Sequence, residues 1–86
     1  MERKNDWVVT GKILEGLIRA KGYTISGFAT KTMYSKSSLY RLCNGEQDIM
    51  SMELFNFIIF AKMLGYNDFV KFARDLKLDL LDDINV

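Results

Sequence analysis

Three glycines divide this chain more sharply than any other feature. Gly22, Gly45 and Gly65 each close a stretch whose apolar residues recur at helical spacing. Glycine takes the left-handed backbone that ends a helix at little steric cost. No proline interrupts the stretches between them. A chain cut this often is confined to short helices that must bury one another's faces. Eighty-six residues suit one domain, expected to hold a helical core over 10–76 and a tail over 77–86. The fold class expected is all-α with five helices.

The individual stretches support this. Ile13, Leu14, Leu17 and Ile18 form a stripe between Thr10, a candidate N-cap, and Gly22. Gly16 inside that stretch is expected to weaken it or to admit a close neighbour. The second stretch, Thr24 to Lys31, starts at Thr24, turns Phe28 and Ala29 inward, and has poor intrinsic helix propensity. The third, Ser35 to Asn44, is capped by Ser35 and faces the core with Leu39 and Leu42. Glu46 to Met50 reads as a polar loop. Ser51 is expected to cap the fourth stretch, with Leu54, Phe57, Ile58, Ala61 and Leu64 facing inward. Phe55, Ile59, Phe60 and Met63 leave that helix apolar around most of its circumference, as in a central or covered helix. The fifth runs from Asn67 to about Leu76, capped by Asn67 or Asp68, with Phe69, Phe72, Ala73 and Leu76 inward. The tail, KLDLLDDINV, fits a strand, a helical turn or an arm.

Composition narrows the function. There is no histidine and only one cysteine, which removes the commonest general base and leaves too few ligands for a zinc site. Asp79, Asp82 and Asp83 do not fit a calcium loop. Neither a membrane span nor a secretory signal is expected. The single Cys43 suits a reducing, cytoplasmic setting and reads as a small buried residue. No enzyme activity and no cofactor are expected. The net charge of +1 conceals two unlike halves. Residues 1–45 carry eight bases and three acids, a net +5, and residues 46–86 carry four bases and eight acids, a net −4. Nucleic-acid binding needs one basic face, not a basic average.

Residues 24–45, TISGFATKTMYSKSSLYRLCNG, resemble the helix-turn-helix of the Cro/C1-type repressors, the lambda-repressor-like fold. Ala29 stands at the small-residue site where the two helices cross. Tyr34 follows the turn where that family has an aliphatic core residue. Leu39 and Leu42 match buried positions, and Arg41 with Asn44–Gly45 matches the "R-x-x-N-G" ending. LIRAKGYT upstream and SMELFNFIIFAKMLGY downstream are similar to the family's flanking patterns, so the likeness spans about residues 11–69. Two positions depart. Met33 replaces the usual turn glycine, costing about 1 kcal/mol or more if its backbone is left-handed. Ile25 replaces a frequent glutamine and is either core or a partner contact.

The resemblance implies a sequence-specific DNA-binding regulator of transcription, typically a repressor of phage, plasmid or bacterial origin. The helix near 35–43 would enter the major groove. Lys36, Ser37 and Ser38 are the candidates for base-edge or phosphate contacts. Tyr40 would touch a thymine methyl or a phosphate, unless it packs at the core edge. Arg41 would clamp a phosphate, unless it pairs with Glu46 or Asp48. Lys31 and Arg19, with Lys12 and Lys21, are candidate backbone contacts, and the amides near Thr24 a candidate phosphate site. A homodimer on a pseudo-palindromic duplex is the expected assembly. The alternative is a helix-turn-helix used as a protein-interaction module, an inhibitor, antirepressor or adaptor, engaging its partner through the fourth helix and the tail. Met33, Ile25 and the acidic half favour it.

Overall fold

The computed structural model describes residues 3–78, with side chains from residue 6 onward. These residues form five α-helices and no strand: α1 (Arg3–Ala20), α2 (Ile25–Thr32), α3 (Lys36–Cys43), α4 (Leu54–Met63) and α5 (Phe69–Asp75). A short 3-10 turn, Ile49–Ser51, precedes α4. From residue 79 on, the expected tail lies outside the described residues.

All five helices end in the same way. After each, one residue takes a left-handed φ: Gly22 (90°), Met33 (59°), Gly45 (77°), Gly65 (92°) and Lys77 (64°). The next amide then reaches back to a carbonyl five residues earlier, as in Tyr34 to Ala29 at 2.9 Å and Leu78 to Ala73 at 3.0 Å. This Schellman arrangement uses carbonyls that the last helical turn would leave unpaired. Glycine supplies it three times, as expected, and a methionine and a lysine supply it twice.

Several helix starts follow the sequence. Thr24 Oγ1 accepts from the Gly27 amide at 2.9 Å, Ser35 Oγ from Ser38 at 3.3 Å, and Asp68 Oδ1 from Lys71 at 2.9 Å. Two expected caps do other work. Thr10 lies in the middle of α1, which begins two turns earlier, and its hydroxyl donates to the Leu76 carbonyl at 3.0 Å. That bond ties α1 to the end of α5. Ser51 closes the 3-10 turn by donating to the Asp48 carbonyl at 2.6 Å, so α4 starts later, with Glu53 at its N-cap and no side-chain bond. The expected polar loop is thus partly ordered, and it buries Ile49.

The core runs through every helix. Leu14 and Ile18 of α1, Ile25, Phe28 and Ala29 of α2, and Leu39 and Leu42 of α3 meet Phe57, Phe60 and Ala61 of α4 and Phe72 and Ala73 of α5. Two clusters of rings hold it. Phe60 stacks edge-on with Phe28 and Tyr34 at 5.0 and 5.2 Å, and Tyr23 meets Phe28 at 5.4 Å. Phe57 packs on Phe72 at 4.8 Å and Phe69 at 6.4 Å, and Tyr66 on Phe72 at 5.1 Å. Both clusters centre on α4. Its buried residues are Phe57, Phe60 and Ala61, with Leu64 buried at its C-cap. Leu54, expected inward, lies beyond the bundle and is 60% exposed, Ile58 is half-buried, and Phe60 takes the central place. Phe57, Ala61 and Leu64 are buried as expected, but a helix this apolar offers too little contrast to tell Phe60 from Leu54 and Ile58.

Candidate nucleic-acid interface

The candidate interface is built on α3, and its orientation is fixed from beneath. Leu39, Leu42 and Cys43 are buried, and Leu39 has no exposed surface. On the far side of these residues α1 comes very close. A methyl group at Gly11 would overlap the Leu42 carbonyl oxygen and lie 2.8 Å from that of Cys43. Only a residue without a β-carbon permits that approach. Gly45 makes the companion contact, its absent β-carbon lying 2.6 Å from Val8 Cγ2. Gly16, expected to admit a neighbour, faces open space instead.

With its inner side clamped, α3 shows solvent a continuous outer side. Lys36, Ser37, Tyr40 and Arg41 are exposed, Tyr40 to 47%. Positions 36, 37, 40 and 41 share one face at helical spacing. Ser38 is half-buried, and its amide is held by Ser35. Tyr40 is therefore not packed into the core edge. Among the described residues Arg41 makes no ion pair with Glu46 or Asp48.

The α2–α3 connection holds this face in place. Met33 turns the chain, and Tyr34 then reaches back onto Phe60. At the end of α2, the Thr32 hydroxyl donates to the Phe28 carbonyl at 2.8 Å. Ile25, left open between core and partner contact by the sequence, is buried. Met33, which sequence reasoning placed outside the site, stands beside α3 in solvent, 93% exposed. Its departure from glycine was the available signal.

The other expected contacts surround α3 unequally. Lys31 is exposed in the last turn of α2, next to Met33. Thr24 is exposed at the start of α2, with its oxygen occupied by the Gly27 amide. Arg19 Nε lies 3.0 Å from Glu15 Oε2 one turn away. Exposed pairs of this kind are worth little, so the guanidinium remains open to a stronger anion. Lys12 and Lys21 are exposed.

Cys43 lies under this surface. Burial, and secondly the charge of Glu15, push its thiol up to about 11, opposed by Arg19. At neutral pH it is a protonated, buried thiol, unsuited to nucleophilic attack. No cluster of metal-ligating side chains occurs among the described residues, and none of their helices is long and apolar enough to cross a membrane.

Compared with protein-family models, curated proteins and solved structures, the chain matches none.

Proposed function

We propose that this chain is a sequence-specific DNA-binding regulator of transcription, of the repressor type, that reads the major groove with α3. The observation that carries the proposal is the clamped helix. Leu39, Leu42 and the Gly11 contact fix one side of α3, and Lys36, Ser37, Tyr40 and Arg41 project from the other. A rod about 10–12 Å across fits a groove about 12 Å wide. Lys36 and the serines suit base edges and phosphates, Tyr40 a thymine methyl, and Arg41 a phosphate.

Lys31, Lys12, Lys21 and Arg19 add the non-specific attraction, which sums over cations. On this reading α2 and α3 are a helix-turn-helix in a lambda-repressor-like domain. The likeness of residues 11–69 to Cro/C1-type repressors and the three-residue turn between α2 and α3 support it. Two copies would occupy a pseudo-palindrome, with recognition helices about 34 Å apart. The protein would act by occupancy, without chemistry on its target, in the cytoplasm.

The test is selection of bound duplexes from a random pool, followed by titration of the best sequence. Lys36→Ala with Arg41→Ala is expected to abolish specific binding to that sequence while circular dichroism keeps its helical signal. Full binding by that folded variant would remove α3 from the mechanism.

One observation favours a second reading, the protein-interaction module. Leu54 and Phe55 at the start of α4 are 60% and 72% exposed, more apolar surface than a lone soluble helix end needs. Under that reading the chain leaves random duplex unbound even at low salt.

A further inference from the structure

Beside the first turn of α4 runs an apolar groove lined by Ile49, Met50, Met52, Leu54, Phe57 and Phe69. Its volume is about 190 Å³, a little above the ~150 Å³ of a cavity that takes one benzene ring. The groove therefore has room for a single large apolar side chain. Its lip is apolar as well: Met50, Leu54 and Phe55 are 47%, 60% and 72% exposed. Single apolar residues are ordinary on a surface, but three gathered at a cleft mark an interaction site.

Acids border the groove. Asp48 precedes Ile49, Glu53 precedes Leu54 and Asp68 precedes Phe69. Two of these carboxylates are pinned, Asp48 by the Met50 amide at 3.0 Å and Asp68 by the Lys71 amide at 2.9 Å. Glu53 is exposed and makes no cap bond. The bases nearby are Lys77, beside the lining residue Leu78, and Lys71, whose ammonium lies 3.8 Å from Asp75. The border is thus net negative. It repels an anionic membrane or a nucleic acid and draws a basic segment. No strand occurs among the described residues, so an extended segment finds no sheet edge to pair with. A helix pairs its own backbone and enters an apolar groove without leaving donors bare.

We propose that this groove receives a basic amphipathic helix of a protein partner, with one large apolar side chain seated in the cleft and Lys or Arg facing Asp48, Glu53 and Asp68. The inference rests on α4 and its flanks rather than on α3, so it stands whether or not the chain binds DNA.

Methyl-labelled methionine in the full chain tests it. The probe is a synthetic helical peptide with Leu at i, i+3, i+4 and i+7, one Trp among them, and Lys elsewhere; its counterpart carries Glu for Lys. The Lys peptide is expected to move the resonances of Met50 and Met52, which line the groove, and to leave that of Met33, which does not. The Glu peptide should move none. Asp48→Asn with Glu53→Gln and Asp68→Asn keeps the capping oxygens and should weaken the Lys peptide about tenfold at low salt. Leu54→Ser with Phe55→Ser should weaken it at least as much. Met50 and Met52 unmoved by the Lys peptide overturn the proposal, as does equal binding of the two peptides, both read on the wild-type chain. So does unchanged affinity in either folded variant. Met50 and Met52 signals that shift on dilution alone, with a dimer in sedimentation, overturn it in favour of a second copy in the groove.

Discussion

Met33 and Lys77 each hold a left-handed backbone, where a β-carbon crowds the following carbonyl at a cost of about 1–2 kcal/mol. Glycine would remove that cost but would add chain entropy to the unfolded state, about 0.5–1 kcal/mol. Met33→Gly and Lys77→Gly are therefore each expected to stabilise by roughly 0.5–1 kcal/mol in urea denaturation. Two glycines of α1 separate in the opposite sense. Gly16→Ala meets open space and should stabilise by about 1 kcal/mol. Gly11→Ala drives a methyl into the last carbonyls of α3 and should cost about 1–3 kcal/mol. Equal effects from the two alanines would show that α1 and α3 are not in close contact. Sequence spacing treats these glycines alike, because nothing local tells an exposed helix position from a crossing point.

Among the elements, α3 was the most legible and α4 the least. Ser35, Leu39, Leu42 and Asn44–Gly45 define a helix with contrasting sides, and its start, end and buried residues all follow. For α4 the spacing picked out Phe57, but the apolar residues surround the axis, and only packing against α2 selects Phe60 over Leu54 and Ile58. The two extra turns of α1 were hidden because Thr10 is a strong cap by type. Its actual partner, the Leu76 carbonyl, is 66 residues away. The two non-glycine helix stops at Met33 and Lys77 gave no signal of residue type, although the turn position of Met33 did mark it for strain. Energetically the elements converge on Phe60, whose ring supports both α2 and the Tyr34 end of the turn. Phe60→Ala should cost about 3–5 kcal/mol, measured by thermal denaturation. Ser35→Ala, which removes only the α3 cap, should cost about 1 kcal/mol.

For the whole molecule, the protons of half-buried Tyr66 and buried Cys43 link stability to pH. Burial, a 2.6 Å hydrogen bond to Asp75 and the charge of that carboxylate push the Tyr66 hydroxyl up to about 12. Cys43 is pushed up to about 11. Both groups hold their protons more tightly in the fold than in the unfolded chain. Their contribution is complete below the ordinary values, 9.0 for the thiol and 10.0 for the phenol, and is lost as pH rises through about 11 and 12. The melting temperature should fall across that alkaline window, and Tyr66→Phe should flatten its upper part. At the same scale, charge divides between a basic half bearing α3 and an acidic half bearing α4 and α5. That division was plain in the sequence, where the spacing of α3 also turned Lys36 and Arg41 away from Leu39 and Leu42; in the fold both are exposed. The central claim is that this face meets phosphate. Fluorescence anisotropy with random duplex, repeated over a salt series, tests it most directly. The wild-type chain should bind at low salt and weaken steeply, and the variant Lys36→Ala with Arg41→Ala should lose about 1.8 from the slope of log K against log salt, roughly 0.9 for each phosphate contact removed. Failure of the wild-type chain to bind at low salt, or an identical slope in the folded variant, would contradict it.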